Sequence, residues 1–322
     1  MLGLAAVVAT LCVAAAGLAL WGPGPKAVNG VSTEVILDRG AGLGAIARRL
    51  RAAGVIRSTW AFAGAAELGG VAGRLKAGDY EFRSGATLVD VLNAIRDGAV
   101  VRRVVTIPEG VTSAVATGIV QRNPYLTGRA PLPKEGAILP ETYEIRRGET
   151  RAAVIERMSA ARDALLATLW RTRAGGLPFA TPEEAVTMAS IVEKETAAPS
   201  ERARIAAVFI NHLKMGMRLE TDPAVIYGLT GGAALGHGLR LSELATRTPY
   251  NTYLLAGLPP TPIANPGAAS LAATLRPAAG DDLYFVADGS GGHVFADTYE
   301  AHLKNVARWR AIERARNTGN GG

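Results

Sequence analysis

The chain has 322 residues, a net charge of +7 and an isoelectric point near 9.7. Hydrophobic residues make up 48% and charged residues 20%, a globular composition with an apolar start. The lysines and arginines are scattered and no nucleic-acid motif accompanies them, so no nucleic acid is expected as a partner. The single cysteine, Cys12, excludes an intrachain disulfide or a thiolate metal cluster.

Residues 1–21, MLGLAAVVATLCVAAAGLALW, carry no charge. That length suits a bilayer crossing, with Trp21 at the interface and Gly22-Pro23-Gly24-Pro25 ending the helix. An uncleaved anchor is expected, with a cleaved signal peptide as the competitor. Cys12 reads as a small hydrophobe within it. Residues 22–34 form a linker. A strand-like run, Val35–Leu37, then precedes a turn at Asp38-Arg39-Gly40 and a helix with Leu43, Ile46, Ala47 and Leu50 at helical spacing. Gly54 suits its C-cap. A second helix is predicted over 58–69, a strand around Tyr80 and Phe82, a third helix through Leu88, Val91, Leu92 and Ile95, and a strand over 100–107. Residues 35–105 thus form a small βααβ-type module.

Residues 106–316 form the larger part, and together the elements give an α+β chain. A connecting stretch over 111–148 leads to a helix over 150–174. The next helix begins at Pro182, with Thr181 as N-cap. Its apolar positions Ala185, Met188, Ala189 and Val192 continue at helical spacing to Glu195 and Thr196. Glu193 lies on a different face, since successive residues turn by about 100°. A carboxyl that continues an apolar stripe is disfavoured as a charge, so Glu195 should titrate above the ordinary carboxylate range, as a general acid requires. The competing reading is an ordinary charged helix end, Glu193-Lys194-Glu195.

Further on, Asp222 before Pro223 reads either as a helix N-cap or as a cleft residue. Asn211 follows the apolar run Ile205, Val208 and Phe209 and must be bonded to the fold or to a ligand. Tyr250, Asn251 and Tyr253 combine ring faces with polar donors, which suits sugars and also ordinary loop packing. Asn265 lies among Pro259, Pro260, Pro262 and Pro266 as a turn or a contact residue. His293, after Gly291-Gly292 at an expected hairpin, reads as structural or surface. The chain ends as strand, glycine turn, strand and helix, and residues 317–322 form a polar tail expected to be disordered.

The strings LKAGDY (75–80), TIPEG (106–110), ILPETYEI (138–145), ASIVEKETAAPSER, INHLKMGMRLETDPAVIYGL, TPYNTYLLAGLPPTPIANPG and YFVADGSGGHVF closely resemble the membrane-bound endolytic murein transglycosylases, the MltG or YceG-like family. The resemblance implies an N-terminal transmembrane helix, a LysM-like module at 35–105 and a catalytic domain at 106–316. It implies a single pass through the cytoplasmic (inner) membrane, with the catalytic domain on the periplasmic side. The module either contacts glycan or only positions the catalytic domain.

The family cuts peptidoglycan glycan strands internally and leaves 1,6-anhydromuramic acid ends. Its catalytic residue is the second glutamate of the E-K-E-T string, which is Glu195. Asn211, Asp222, Tyr250, Asn251, Tyr253 and Asn265 are the candidate substrate contacts. The implied chemistry needs no cofactor and no metal. The implied partners are peptidoglycan strands, the membrane and peptidoglycan synthases. A noncatalytic peptidoglycan-binding scaffold and a water-using muramidase remain alternatives. This chain has Asn211-His212-Leu213 where the family usually reads Asn-Arg-Leu.

Overall fold

A computed structural model describes residues 2–28 and 30–319, a mixed α+β chain that divides into two units, Met1–Arg103 and Val104–Gly322.

In the first unit, residues Leu2–Trp21 form a helix, α1. The side chains of residues 2, 3, 5, 9 and 12, Cys12 included, lie outside the described residues. Among the described residues no helix is long and apolar enough to cross a membrane. Strand β1 (Ser32–Leu37) pairs antiparallel with β2 (Gly78–Arg83), setting Val35 opposite Tyr80. Helices α2 (Leu43–Ala52), α3 (Thr59–Leu68) and α4 (Leu88–Asp97) complete the module. Alternation along the strands and helical spacing along α2 and α4 point Val35, Leu37, Leu50, Tyr80, Phe82, Val91 and Ile95 into one core around Phe62. Thr87 and Asp90 form a capping box at the start of α4. Gly54 follows α2 with φ +71°, the left-handed position expected just past a helix end.

The predicted strand over 100–107 is β3 (Arg103–Thr106). It does not join the β1–β2 sheet; its partner is β4 (Thr142–Ile145), from the stretch read only as a connection. Alternation identifies a strand but not its partner.

The second unit adds α5 (Ser113–Arg122), α6 (Arg151–Arg171), α7 (Pro182–Glu195), α8 (Arg202–Lys214), α9 (Asp222–Thr230), the short α10 (Leu241–Leu244) and α11 (Ala268–Leu275). The hairpin β5 (Tyr284–Ala287) and β6 (His293–Ala296) and the helix α12 (Tyr299–Gly319) follow. Helix α12 runs past Arg316, where the tail was expected to begin, and residues 320–322 lie outside the described residues.

One apolar cluster gathers Val105, Ile107, Val120, Ile138, Ile155 and Met158. A larger one is built from α7, α8 and α11. Thr181 caps α7 by accepting from the Glu184 amide, with Pro182 at the first helical position. All eight residues from Ala185 to Val192 are buried. Helix α7 is therefore buried all round, and the apolar stripe read from the sequence is only part of its buried surface.

Candidate active site

Glu195 is the last residue of α7, and the chain leaves the helix at Thr196 with extended dihedrals (φ −138°, ψ 135°). The half-buried Glu195 carboxyl faces a cavity of about 380 Å³ shared with Glu220, Asp222, Tyr253, Tyr284 and His302. Its Oε1 accepts a 2.5 Å hydrogen bond from the Thr221 hydroxyl. Among the described residues Oε2 has no hydrogen-bond partner. Burial pushes this carboxyl up to about 7, and the negative charge of Asp222 adds to the rise. The Thr221 bond and the proximity of His293 act in the opposite sense.

Thr221 was not singled out in the sequence. It stands at the N-cap of α9, where a threonine ordinarily accepts from its own helix. Here its hydroxyl makes no cap bond and is turned to Glu195. Two contacts fix Thr221: its amide donates to Thr252 Oγ1 at 3.0 Å, and that hydroxyl donates back to the Thr221 carbonyl at 3.3 Å. The preceding residue, Glu220, has φ +51°, the one positive value among the described non-glycine residues. Such a conformation costs about 1–3 kcal/mol and persists where the surroundings over-determine it. The signal available in the sequence was the Thr221-Asp222-Pro223 helix start, which does not show where the threonine hydroxyl points.

Asp222 is the first residue of α9, not its cap, and it lines the cavity. It accepts a 2.7 Å bond from the Tyr253 hydroxyl, whose pKa is raised by burial and then by this carboxylate. Asp222 and Tyr253 are thus brought together with Glu195. The other candidates are not. The Asn211 amide donates to the carbonyls of Gly280 and Asp282, both at 3.1 Å, and ties α8 to the segment before β5. Asn251 is fully buried, donates to Leu244 and Thr246 carbonyls at 2.8 Å each, and accepts from the Tyr253 amide. Asn265 is also fully buried: its amide donates to the Val111 carbonyl, Ser113 Oγ and Glu135 Oε1, and its oxygen accepts from the Ile138 amide. These three amides are committed to the fold. The Tyr250 hydroxyl pairs with Thr261 at 2.8 Å, and its ring packs edge-on against Tyr227.

Glu193 corrects the reading of it as part of a charged helix end. Its side chain is only 6% exposed. Its Oε2 accepts from the Gly267 amide at 2.9 Å, at the start of α11, and its Oε1 lies 3.7 Å from Arg202. Glu109 shares Arg202, and its carboxyl is pushed up by burial and by the Glu193 charge. His293 lies closer to the site than a surface role implies. Its amide and its Nδ1 both meet the Glu201 carboxylate at 2.7 Å. His212 is buried on the cavity wall. Its two ring nitrogens stand 3.0 and 2.6 Å from the carbonyls of Arg218 and Leu283. Among the described residues no group of three His, Cys, Asp or Glu side chains is placed to hold a metal ion.

The model of the YceG-like family matches residues 35–308. An endolytic murein transglycosylase of Streptococcus pneumoniae is 37% identical over 180 residues, 54% of this chain and 32% of the relative. One of Bacillus subtilis is 45% identical over 121 residues, 37% of this chain and 32% of the relative. The matched part is thus about a third of the length of each curated relative. A crystal structure of a yceG-like protein from Listeria monocytogenes superposes with a TM-score of 0.54 at 27% identity, covering 85% of this chain and 98% of that one.

Proposed function

The chain belongs to the YceG-like family, and from that premise we propose that it is an endolytic murein transglycosylase in which Glu195 is both acid and base. The observation that carries this reading is the state of Glu195: a carboxyl raised to about 7, one oxygen held by Thr221, the other without a partner among the described residues, beside a cavity. A group with that titration range is protonated often enough at neutral pH to donate, and basic enough afterwards to accept.

Glu195 gives its proton to the glycosidic oxygen between N-acetylmuramic acid and N-acetylglucosamine. The bond from that oxygen to C1 breaks, and the muramic sugar takes on oxocarbenium character. The Glu195 carboxylate then removes the proton of the same sugar's 6-hydroxyl, whose oxygen closes onto C1. The products are a 1,6-anhydromuramic end and a free hydroxyl on the leaving sugar, and Glu195 returns to its starting state. No water is consumed, so no second carboxylate is required as base. Asp222 contributes negative charge near the developing cation and disfavours early loss of the Glu195 proton.

Digestion of purified sacculi, with muropeptides identified by mass spectrometry, tests this. Anhydro ends support it. Reducing ends would make the protein a muramidase, and no cleavage would leave a binding scaffold. Glu195→Gln should lower cleavage by at least about 100-fold, within the 10²–10⁴ usual for a positioned acid.

We also propose that residues 1–21 anchor the chain in the cytoplasmic membrane, with the second unit outside it beside nascent strands and their synthases. Support comes from the uncharged run of bilayer length that ends at Trp21 and a Gly-Pro pair. The intact chain should stay with membranes after high-salt and alkaline washing. A soluble form cut near residue 17 would sink the proposal.

A further inference from the structure

The residue after the acid is tied to a carboxylate–imidazole pair. Thr196 follows Glu195 directly, is buried, and its hydroxyl contacts Glu201 Oε2 at 3.3 Å. Glu201 stands at the N-cap of α8 yet makes no cap bond. Its carboxylate is turned instead to β6: Oε1 accepts from the His293 amide and Oε2 from His293 Nδ1, each at 2.7 Å. The fit is close, because a Cβ on Gly292 would come within 2.8 Å of Glu201 Oε1. His293 in turn packs edge-on to Phe285, a residue of the cavity wall. One carboxylate thus gathers the backbone beside the acid, the start of α8 and the hairpin that walls the cavity.

An imidazole whose Nδ1 donates to a carboxylate has a fixed ring plane and a fixed tautomer, and its remaining nitrogen can take or release a proton. Glu201 is partly buried, yet the bonds from His293 hold its carboxyl below the usual range, so it remains the acceptor. Other groups also face these two centres. Glu195 meets Thr221, Asp222 and Tyr253 from α9 and its neighbouring loop, with Glu220, His212 and His302 on the cavity wall. Beside the pair, Asp288 in the hairpin turn accepts from the Gly292 amide, and Arg204 on α8, which lies over Phe295 and pairs with Asp282, faces the Glu201 charge.

We infer that Glu201 and His293 are positioning residues for Glu195. Glu201 holds Thr196 and orients His293, and a protonated His293 places a positive charge on the side of the site that carries the Glu195 carboxyl. The inference rests on reading Glu195 as the acid. The sign is fixed: a cation near a carboxyl favours its ionised form, and removing the cation moves ionisation to higher pH. His293 acts on Glu195 in that sense.

The test separates the latch from the charge. His293→Asn keeps a donor near the Nδ1 position, so the contact with Glu201 survives, but it cannot become a cation. His293→Ala removes both. The full chain in detergent is assayed on soluble glycan strands across pH. In His293→Asn the ratio of kcat/KM at pH 8 to that at pH 6 should rise about threefold, with KM unchanged and Tm within a few degrees of the parent. Glu201→Gln should raise the ratio in the same direction, and the double variant should add little to either single change. A second readout needs no activity. The Tm difference between the parent and Glu195→Gln, followed against pH, reports the Glu195 titration by linkage. Its midpoint should move up in the His293→Asn background. An unmoved midpoint and pH profile in His293→Asn, whether activity holds or falls with stability, would reduce the pair to a structural latch and overturn the inference. If the parent makes no anhydro ends while the midpoint still moves, the reaction assignment fails and the coupling stands.

Discussion

At Glu195, the balance of neighbours sets the titration range, and each neighbour can be removed separately. The Thr221 hydroxyl bonds the ionised carboxyl and so favours it, whereas the Asp222 charge opposes ionisation. Activity that needs protonated Glu195 falls as pH rises through its pKa. Thr221→Val should therefore carry activity to higher pH and Asp222→Asn should draw it to lower pH. Each should change the pH 8 to pH 6 activity ratio by roughly threefold, in opposite directions. If both variants moved it the same way, this electrostatic account would fail. Glu195→Gln bears on stability as well. The folded-state pKa lies above that of an unfolded carboxyl, so the stability linked to this group is full at low pH and declines as pH rises toward and through about 7. The amide variant should thus gain in Tm over the parent at pH 8 and gain little at pH 4. Melting curves at the two pH values decide it. The position of Glu195 could be read from the helical series Ala185, Met188, Val192. The partner Thr221 could not, because its role depends on a turn through a positive φ at Glu220 that no periodicity announces.

Helical period also misled at the level of elements, and α7 shows why. A stripe distinguishes faces only when one face is wet. Helix α7 is enclosed by α8, α11 and α6, so Glu193, off the stripe, is buried as well and receives the Gly267 amide at the start of α11. A glutamine can still accept that bond, so Glu193→Gln should keep cleavage within about tenfold of the parent. Glu193→Ala leaves a buried amide unpaired and should cost about 1–3 kcal/mol, read from denaturant unfolding. Gly267 is confined by the same cluster: a Cβ there would stand 1.8 Å from Glu109 Oε1. The partner of β3 was hidden for a related reason. The run Val104-Val105-Thr106 alternates well enough to be a strand, but its partner, Thr142–Ile145, lies in a Pro- and Gly-punctuated stretch without a marked alternation of its own.

Over the whole molecule, the two units have separate cores. The first closes Phe62, Leu50, Val91 and Ile95 over the β1–β2 pair, and nothing in that cluster comes from beyond residue 103. Residues 22–103 expressed alone should melt cooperatively, as a unit with its own core does, and circular dichroism against temperature measures it. A broad, non-cooperative melt would mean that this core needs the rest of the chain. The helix spacing of the first core was legible through Leu88, Val91, Leu92 and Ile95. The meeting of Glu195, Thr221, Asp222 and Tyr253 could not be read from it, because α8, α9, α10 and their loops separate these residues along the chain.

Glu195 is the final residue of a fourteen-residue helix whose middle is sealed from solvent. Aligned peptide dipoles leave partial negative charge at that end, which works against ionisation of a carboxyl there. That field arises in the last turn of the helix and is itself weakened by dissolved ions where the turn meets solvent. Asp222 is exposed at the cavity, where salt can screen it. Raising ionic strength from about 0.05 to 0.5 M should remove part of both the Asp222 and the helix contribution. The alkaline limb of the parent should therefore drift down in pH with salt, and that of Asp222→Asn should drift less.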